Sequence, residues 1–133
     1  MKKTVLIIMV ILFAIYTNGF SQNKKDRIKV KPDTTALDSV EYELIVLDPG
    51  YEIWLVTKPP KEFYSKEYYE QKNRLLVSEW NQRYLTISNN GLYESYIDYD
   101  ATIDYGLDLN YKLYYYFRYF EETNHIKLLN SSR

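Results

Sequence analysis

The sequence contains no cysteine and a single histidine among its 133 residues. The absence of cysteine excludes a disulfide framework, a thiolate metal site and a cysteine nucleophile. One histidine cannot form a zinc site that needs several imidazole ligands. His125 also lies in a polar C-terminal segment, and no Gly-x-Ser-x-Gly motif accompanies it. The sequence therefore does not predict a Ser-His-Asp triad.

The sequence also has few glycines and little net charge. Its four glycines are isolated from one another, which excludes a glycine-rich loop that cradles phosphate. Lys and Arg number 17 against 18 Asp and Glu, a net charge of −1, so nothing indicates a basic groove for nucleic acid. We therefore predict no cofactor and no nucleic-acid partner. The length suits one small domain.

The N-terminal residues predict export. Two lysines precede an uncharged apolar run over residues 5–16, which is shorter than the roughly 20 residues of a membrane-spanning helix. Such a run is typical of a secretory signal peptide. The small residues Gly19 and Ser21 predict that residues 1–21 are removed and that Gln22 becomes the first residue. We expect no membrane span after cleavage, and a location in the periplasm or cell envelope, or secretion. An uncleaved signal anchor is the alternative.

The mature chain begins with a basic segment, residues 22–39, whose few apolar groups predict a flexible tether. Residues 41–47 (EYELIVL) predict the first strand, because their apolar run is continuous. Residues 51–57 (YEIWLVT) follow an Asp-Pro-Gly turn and favour a second strand, since Ile, Val and Trp are common in strands. A short helical turn before the two following prolines is the alternative for this segment.

Two long helices are expected. The first begins at Ser65, whose hydroxyl can cap it, and ends before the Asn-Asn-Gly sequence at 89–91. Residues 92–97 alternate in polarity and predict a short third strand. The second helix covers residues 107–122. Its core stripe consists of Leu109, Leu113, Tyr116, Phe117 and Phe120.

These elements predict a single α+β domain over residues 40–123. The expected order is ββαβα, in which a small sheet of two or three strands carries the two main helices on one face. Residues 124–133 are expected to form a C-terminal tail, with the chain fraying from Thr123 onward.

An acidic loop places Asp98, Asp100 and Asp104 at alternating positions, a spacing at which oxygen ligands bind calcium. The pattern departs from an EF-hand, because Ile103 and Leu109 stand where that motif has Gly and Glu. The three aspartates are therefore metal-ligand candidates, with turn and helix-cap roles as the alternative.

A pair of carboxylates on either side of a sugar ring is the basis of glycoside hydrolysis. The available carboxylates are those of Glu79, Glu94, Asp98 and Asp100. The sequence sets no distance between any two of them, so a carbohydrate-active enzyme is an alternative function rather than the main hypothesis.

Tyrosine is the residue in excess, with 16 copies. A tyrosine joins a large apolar face to a polar tip and serves both cores and interfaces. Five tyrosines surround nearly the whole second helix: Tyr111, Tyr114, Tyr115, Tyr116 and Tyr119. We therefore expect some of them to face solvent or a partner, and Tyr115, about 200° from Leu113, to point outward. Tyr111 and Tyr115 are binding candidates, and a tyrosine-rich core is the alternative.

Seven short motifs carry a resemblance to a known family. They are DPGY (48–51), WL (54–55), PP (59–60), KNR (72–74), EWN (79–81), DYGL (104–107) and NYKLY (110–114). In this order they resemble an uncharacterised family of small exported proteins from Bacteroidetes-type bacteria, known as a domain of unknown function. The resemblance covers residues 40–129. It implies export in a Gram-negative cell, assigns no catalytic residue, and keeps a short helix at 51–57 open.

The KNR and EWN motifs supply two further binding candidates, Arg74 and Asn81, which lie seven residues apart near one face of the first helix. Together with Asn73 and Trp80 they predict a polar surface bordered by an aromatic ring. In the alternative, the two asparagines hold neighbouring loop backbone in place, because buried amides need hydrogen-bond partners.

The sequence as a whole favours a non-catalytic exported module that binds a protein or a glycan of the cell envelope. A carbohydrate-active enzyme that uses a carboxylate pair and a structural subunit of an envelope complex are the alternatives. A cleft with two convergent carboxylates would favour the enzyme, and an exposed tyrosine patch would favour the binding module.

Overall fold

The computed structural model describes residues 28–33, 41–86 and 91–130. The predicted signal peptide lies outside the described residues, as does the predicted first residue of the mature chain. The elements are β1 (Ile28–Asp33), β2 (Glu41–Val46), α1 (Pro49–Leu55), a 3₁₀ turn (Lys61–Phe63), α2 (Lys66–Thr86) and α3 (Gly106–Asn124). The domain is α+β, as predicted, with a two-stranded antiparallel sheet and three helices among the described residues.

Strand β1 lies within the segment predicted to be a flexible tether. It pairs antiparallel with β2 in a register that sets Ile28 opposite Val46 and Val30 opposite Leu44. Ile28 is fully buried in the core. The tether prediction is wrong for residues 28–33, because the basic composition of the segment conceals two apolar side chains on one face of a strand.

Helix α1 replaces the predicted second strand. The Oδ1 atom of Asp48 accepts the N–H of Gly50 at 2.9 Å, and Pro49 takes the first helical position, where no N–H is needed. These start signals outweigh the strand preference of β-branched residues such as Ile53. The prediction of a strand at 51–57 is wrong, and a short helix occupies most of this segment.

Residues 92–97 do not form the predicted third strand. They run as irregular chain along α2, whose side chains make hydrogen bonds to their backbone. Asn81 donates its Nδ2 to the carbonyl oxygen of Ile97 and accepts the N–H of Ile97 on Oδ1, both at 2.9 Å. Trp80 donates its Nε1 to the carbonyl oxygen of Ser95 at 2.8 Å. The order among the described residues is therefore ββααα, because side chains replace the partner strand that this segment would need.

Helix α3 is the centre of the fold. It contacts α2, β2, α1 and the 3₁₀ turn. Its buried residues are Leu109, Asn110, Tyr111, Leu113, Tyr114, Tyr115, Tyr116, Phe117, Phe120 and Glu121. This set contains the whole predicted core stripe and extends around the rest of the helix. The helix is therefore enclosed by other elements instead of lying on one face of a sheet.

The chain beyond α3 folds back instead of fraying. His125 ends the helix in the left-handed conformation, with φ of 54°. Leu128 is buried, and Glu121 Oε1 accepts its N–H at 2.7 Å. Arg83 of α2 donates Nη2 to the carbonyl oxygens of Lys127 and Leu128, both at 3.1 Å. The prediction of a fraying tail is wrong for the part of it that the structure describes.

Candidate functional site

A groove of about 390 Å³ lies beside β1. Its volume falls within the range of small binding sites. Four consecutive residues of β1 line it, together with side chains from α2 and from the irregular segment that follows. The lining residues are Ile28, Lys29, Val30, Lys31, Tyr84, Ser95, Tyr96 and Asp98. The groove therefore follows the strand along its edge.

Within the described residues, β1 pairs with β2 on one side only. Successive residues of an antiparallel strand direct their main-chain groups to opposite edges. The carbonyl oxygen of Ile28 accepts a hydrogen bond from Ser95 Oγ at 3.5 Å, on the side of the groove. Val30 and Pro32 therefore direct their main-chain groups to the same open edge. Pro32 has no N–H, which suits an edge position, and Val30 offers both an N–H and a carbonyl.

Two tyrosines supply the exposed aromatic surface of the groove. Tyr84 is 38% exposed and Tyr96 is 54% exposed. Their ring centroids lie 6.2 Å apart and the rings are inclined at 67°, an edge-to-face pair. Exposed aromatic side chains are enriched in protein interfaces, where the ring packs and the hydroxyl hydrogen-bonds.

The charges of the groove are predominantly positive. Lys29 and Lys31 are exposed and project from the same face of β1, because they are two residues apart. Asp98 is the acidic residue in the lining. Lysines and a proline at a strand edge disfavour pairing with an identical edge. The groove therefore favours a partner with negative charge over a second copy of this chain.

The binding candidates on α3 lie in the core and not in this groove. Tyr115 is 7% exposed, and its ring centroid lies 6.2 Å from that of Trp54 and 4.9 Å from that of Tyr111. Tyr111 is buried and donates its hydroxyl to the carbonyl oxygen of Pro59 at 2.9 Å. The prediction that Tyr115 faces outward is wrong, because α1 places Trp54 over that face of α3. Burial raises the pKa of Tyr115 to about 12, so its hydroxyl stays protonated.

The structure does not bring the two candidates on α2 together in a site. Asn81 holds the backbone of Ile97, as described above. Asn73 is fully buried and donates Nδ2 to the carbonyl oxygen of Asn110 at 2.8 Å. Arg74 is exposed and does not line the groove. Asn81 thus holds loop backbone in place, as in the alternative, whereas Asn73 bonds to a residue of helix α3.

Two of the three metal candidates have turn or cap roles. Asp100 Oδ1 accepts the N–H of Thr102 at 2.8 Å and its hydroxyl at 2.7 Å. Asp104 Oδ2 accepts a hydrogen bond from Lys66 Nζ at 2.7 Å. Its Oδ1 accepts a hydrogen bond from the N–H of Gly106, at the start of α3, at 2.9 Å. The hydrogen bonds from Thr102 lower the pKa of the Asp100 carboxyl. The hydrogen bond from Lys66 is the largest cause of the lowered pKa of Asp104, followed by the main-chain bond. Asp98 lines the groove. No three His, Cys, Asp or Glu residues of the described ranges are grouped to hold a metal ion.

The four carboxylates considered for catalysis do not converge in the groove. Glu79 pairs with Arg83, whose Nε lies 2.6 Å from Glu79 Oε1, and Asp100 closes its turn. Glu94 lines a separate small pocket. Asp48 also lines that pocket, and sequence reasoning missed it because its position before Pro-Gly indicates a turn.

Sequence reasoning also missed the groove residues other than Asp98. The alternation of apolar and basic residues at 28–31 (IKVK) is a strand signal, and this signal could have identified β1. Nothing in the sequence indicates that Tyr84 and Tyr96 lie beside it, since the three segments are brought together only by tertiary packing.

Comparison with known proteins identifies a family and nothing more specific. The part of the chain that the structure describes contains no helix both long and apolar enough to cross a membrane. No curated protein and no solved structure gave a significant match. A family of unknown function, DUF6146, matches residues 4–133, which is nearly the whole chain. The chain therefore belongs to DUF6146, a family of unknown function.

Proposed function

We propose that this protein is a non-catalytic, exported module of the cell envelope that binds an extended, acidic polypeptide segment along the edge of β1. The observation that carries the proposal is that the groove follows four consecutive residues of a strand edge that faces no partner strand in the described ranges. Four residues of strand span roughly 13 Å, which is enough for a short segment in extended conformation.

The main chain of β1 supplies the first part of the recognition. A peptide that adds to a sheet edge gains main-chain hydrogen bonds that do not depend on its side chains. Val30 offers an N–H and a carbonyl oxygen at this edge, and Pro32 offers a carbonyl oxygen. Because Pro32 donates no bond, pairing would be centred on Val30.

The side chains of the groove supply selectivity. Tyr84 and Tyr96 present exposed ring surface for apolar side chains of the bound segment. Lys29 and Lys31 add positive charge, which attracts an acidic segment and repels a second β1 edge. Glu79 pairs with Arg83 and Asp100 closes a turn, so among the described residues the groove itself holds one carboxylate, that of Asp98, and offers no carboxylate pair.

A pair of synthetic peptides tests this proposal. One alternates Val and Glu and the other alternates Val and Lys, each with a fluorescent label. We expect the acidic peptide to bind saturably and at least about tenfold more tightly than the basic peptide, because of the lysines. Nuclear magnetic resonance should show protection of the Val30 amide against hydrogen exchange when the acidic peptide is bound.

Matched variants locate the binding. Tyr96→Ala should raise the Kd for the acidic peptide by about tenfold or more, as expected for a central aromatic contact. Leu85→Ala is the control, because Leu85 is 71% exposed and does not line the groove. Equal binding of both peptides, or no effect of Tyr96→Ala, would refute the proposal. Saturable binding of an oligosaccharide that depends on Tyr96 but leaves Val30 unprotected would favour a glycan instead.

The export part of the proposal has its own test. Mass spectrometry of the protein from its native host should find Gln22 at or near the N-terminus. An intact Met1 would exclude cleavage and support an anchored form.

A further inference from the structure

A second, smaller pocket lies where the N-terminal end of α1, the C-terminal end of α3 and residues 91–95 meet. Its volume is about 100 Å³. That is more than one water molecule needs and less than the roughly 150 Å³ of a cavity that admits benzene. The pocket therefore suits a chemical group of a few heavy atoms. Of the residues that the structure describes, Ser95 is the one that lines both this pocket and the groove.

The charged residues that line the pocket are both acidic, Asp48 and Glu94. Asp48 is held in place because its Oδ1 accepts the N–H of Gly50. Helix α3 ends at Asn124, which also lines the pocket, and the C-terminal end of a helix carries partial negative charge. The two carboxylates and the C-terminal end of α3 place negative charge at the pocket, and the N-terminal end of α1, which Asp48 caps, adds a partial positive charge.

The remaining walls are largely aromatic. Trp80, Tyr116 and Phe120 are buried and pack against one another, with ring centroids 4.6 Å apart for Trp80 and Phe120 and 5.9 Å apart for Trp80 and Tyr116. Tyr119 is a fourth aromatic residue in the lining. The faces of aromatic rings attract cations, and quaternary ammonium groups are typical ligands of such walls.

A close backbone approach builds one side of this pocket. A Cβ atom at Gly50 would lie 2.6 Å from the hydroxyl oxygen of Tyr119. Glycine therefore lets the hydroxyl of Tyr119 reach the turn that Asp48 caps, which brings an aromatic wall next to a carboxylate.

We propose that this pocket binds a small organic ammonium group. The two carboxylates balance its charge, and the rings contact its methyl or methylene groups. A hard metal ion would instead need several oxygen ligands around it. The ammonium could belong to a choline-type headgroup or to a lysine side chain of a partner, which present the same chemistry to the pocket.

Tetramethylammonium chloride is the first probe, titrated into the protein and followed by nuclear magnetic resonance. We expect saturable shifts of the Trp80 indole and Phe120 ring signals that sodium chloride at equal ionic strength does not produce. Glu94→Gln and Asp48→Asn should each raise the Kd at least about fivefold, since each removes one charge. Asn at position 48 keeps the helix cap. Glu52→Gln, at an exposed position outside the pocket, should leave the Kd unchanged.

Two further ligands separate the sources of the ammonium group. Choline and Nα-acetyl-lysine amide are titrated in the same way, and the tighter ligand identifies a headgroup or a side chain as the source. Either result supports an ammonium site.

Three results would overturn the proposal. One is that no ammonium probe gives saturable shifts. Another is that the neutral molecule tert-butanol, of similar shape, binds as tightly as tetramethylammonium, which would indicate a purely apolar cavity. The third is that Glu94→Gln and Asp48→Asn bind tetramethylammonium as tightly as the unchanged protein, while their amide spectra show that both remain folded.

Discussion

The tyrosines of α3 and the tyrosines beside β1 are the same residue type in opposite settings. Tyr114 and Tyr115 are buried on the central helix, among rings from α1 and α2. Tyr84 and Tyr96 are exposed and contact each other at the rim of a groove. The same abundance of tyrosine therefore serves a core in one region and an accessible surface in the other. The position of each residue relative to α3 decides its role.

The largest expected difference between the two regions is in stability. Phe117→Ala should lower the free energy of unfolding by about 3–5 kcal/mol, because it removes a fully buried ring and leaves a cavity. Tyr115→Ala should cost more than about 2 kcal/mol for the same reason. Urea unfolding monitored by circular dichroism measures both. If Tyr115→Ala costs less than about 1 kcal/mol, the face of α3 that Trp54 covers is not part of the core.

Alkaline pH should lower the free energy of unfolding through the tyrosines whose pKa is raised in the folded state. Burial is the main cause that raises the pKa of Tyr99, Tyr114 and Tyr115 from 10.0 to about 12. Above about pH 10 the unfolded state releases these protons and the folded state keeps them, so stability is fully present below pH 10 and is lost as the pH rises towards 12. Between these pH values, each such tyrosine lowers the free energy of unfolding by up to about 1.4 kcal/mol per pH unit.

Urea unfolding at about pH 9 and about pH 11 measures this loss, and tyrosinate absorbance follows the ionisation. Equal stability at the two pH values would show that Tyr99, Tyr114 and Tyr115 ionise as freely in the folded state as in the unfolded state.

Removing the side-chain contacts that hold residues 92–97 should lower the free energy of unfolding by a moderate amount. Asn81→Ala removes both hydrogen bonds to Ile97 and leaves a partly buried N–H and carbonyl without partners. We expect a loss of about 1–3 kcal/mol. Gln82→Ala, at the exposed neighbouring position, should stay within about 0.5 kcal/mol. Equal effects of the two substitutions would contradict the structural role of Asn81.

The smallest expected effect on stability is at the groove. Tyr96→Ala should change the free energy of unfolding by less than about 0.5 kcal/mol, because Tyr96 is more than half exposed. The same substitution should weaken binding of the acidic peptide. A stability loss comparable to that of Tyr115→Ala would place Tyr96 in the core and remove the distinction between the two regions.

The two long helices could be predicted from the sequence because their signals are local. Ser65 Oγ accepts the N–H of Tyr68 at 3.2 Å, as the predicted cap requires. The predicted limits of the second helix, 107–122, lie within two residues of those of α3. Capping residues and the 3.6-residue period are sufficient for such elements.

The strand at 28–33 and helix α1 have local signals, but the basic composition of the first and the β-branched residues of the second obscure them, and the irregular course of 92–97 could not be predicted from local signals. Each depends on what lies beside it: Ile28 needs the core, Trp54 needs α3, and Ile97 needs the amide of Asn81. The groove is even harder to predict from the sequence, because its lining comes from three separate segments, residues 28–31, Tyr84 and residues 95–98. Of the candidate site residues, Asp98 is the one that the structure places in the groove.

The contact between Gly50 and Tyr119 has a consequence for how this sequence can change over evolutionary time. A methyl group at position 50 would lie 2.6 Å from the hydroxyl of Tyr119, so Gly50→Ala requires the Tyr119 side chain to shift. Tyr119→Phe removes the closer of the two contacts and leaves the one to Asp48 Oδ1 at 3.2 Å, so it should make Gly50→Ala easier to accommodate. The two positions are therefore epistatic, and an alignment of relatives should show alanine at 50 only alongside a smaller side chain at 119.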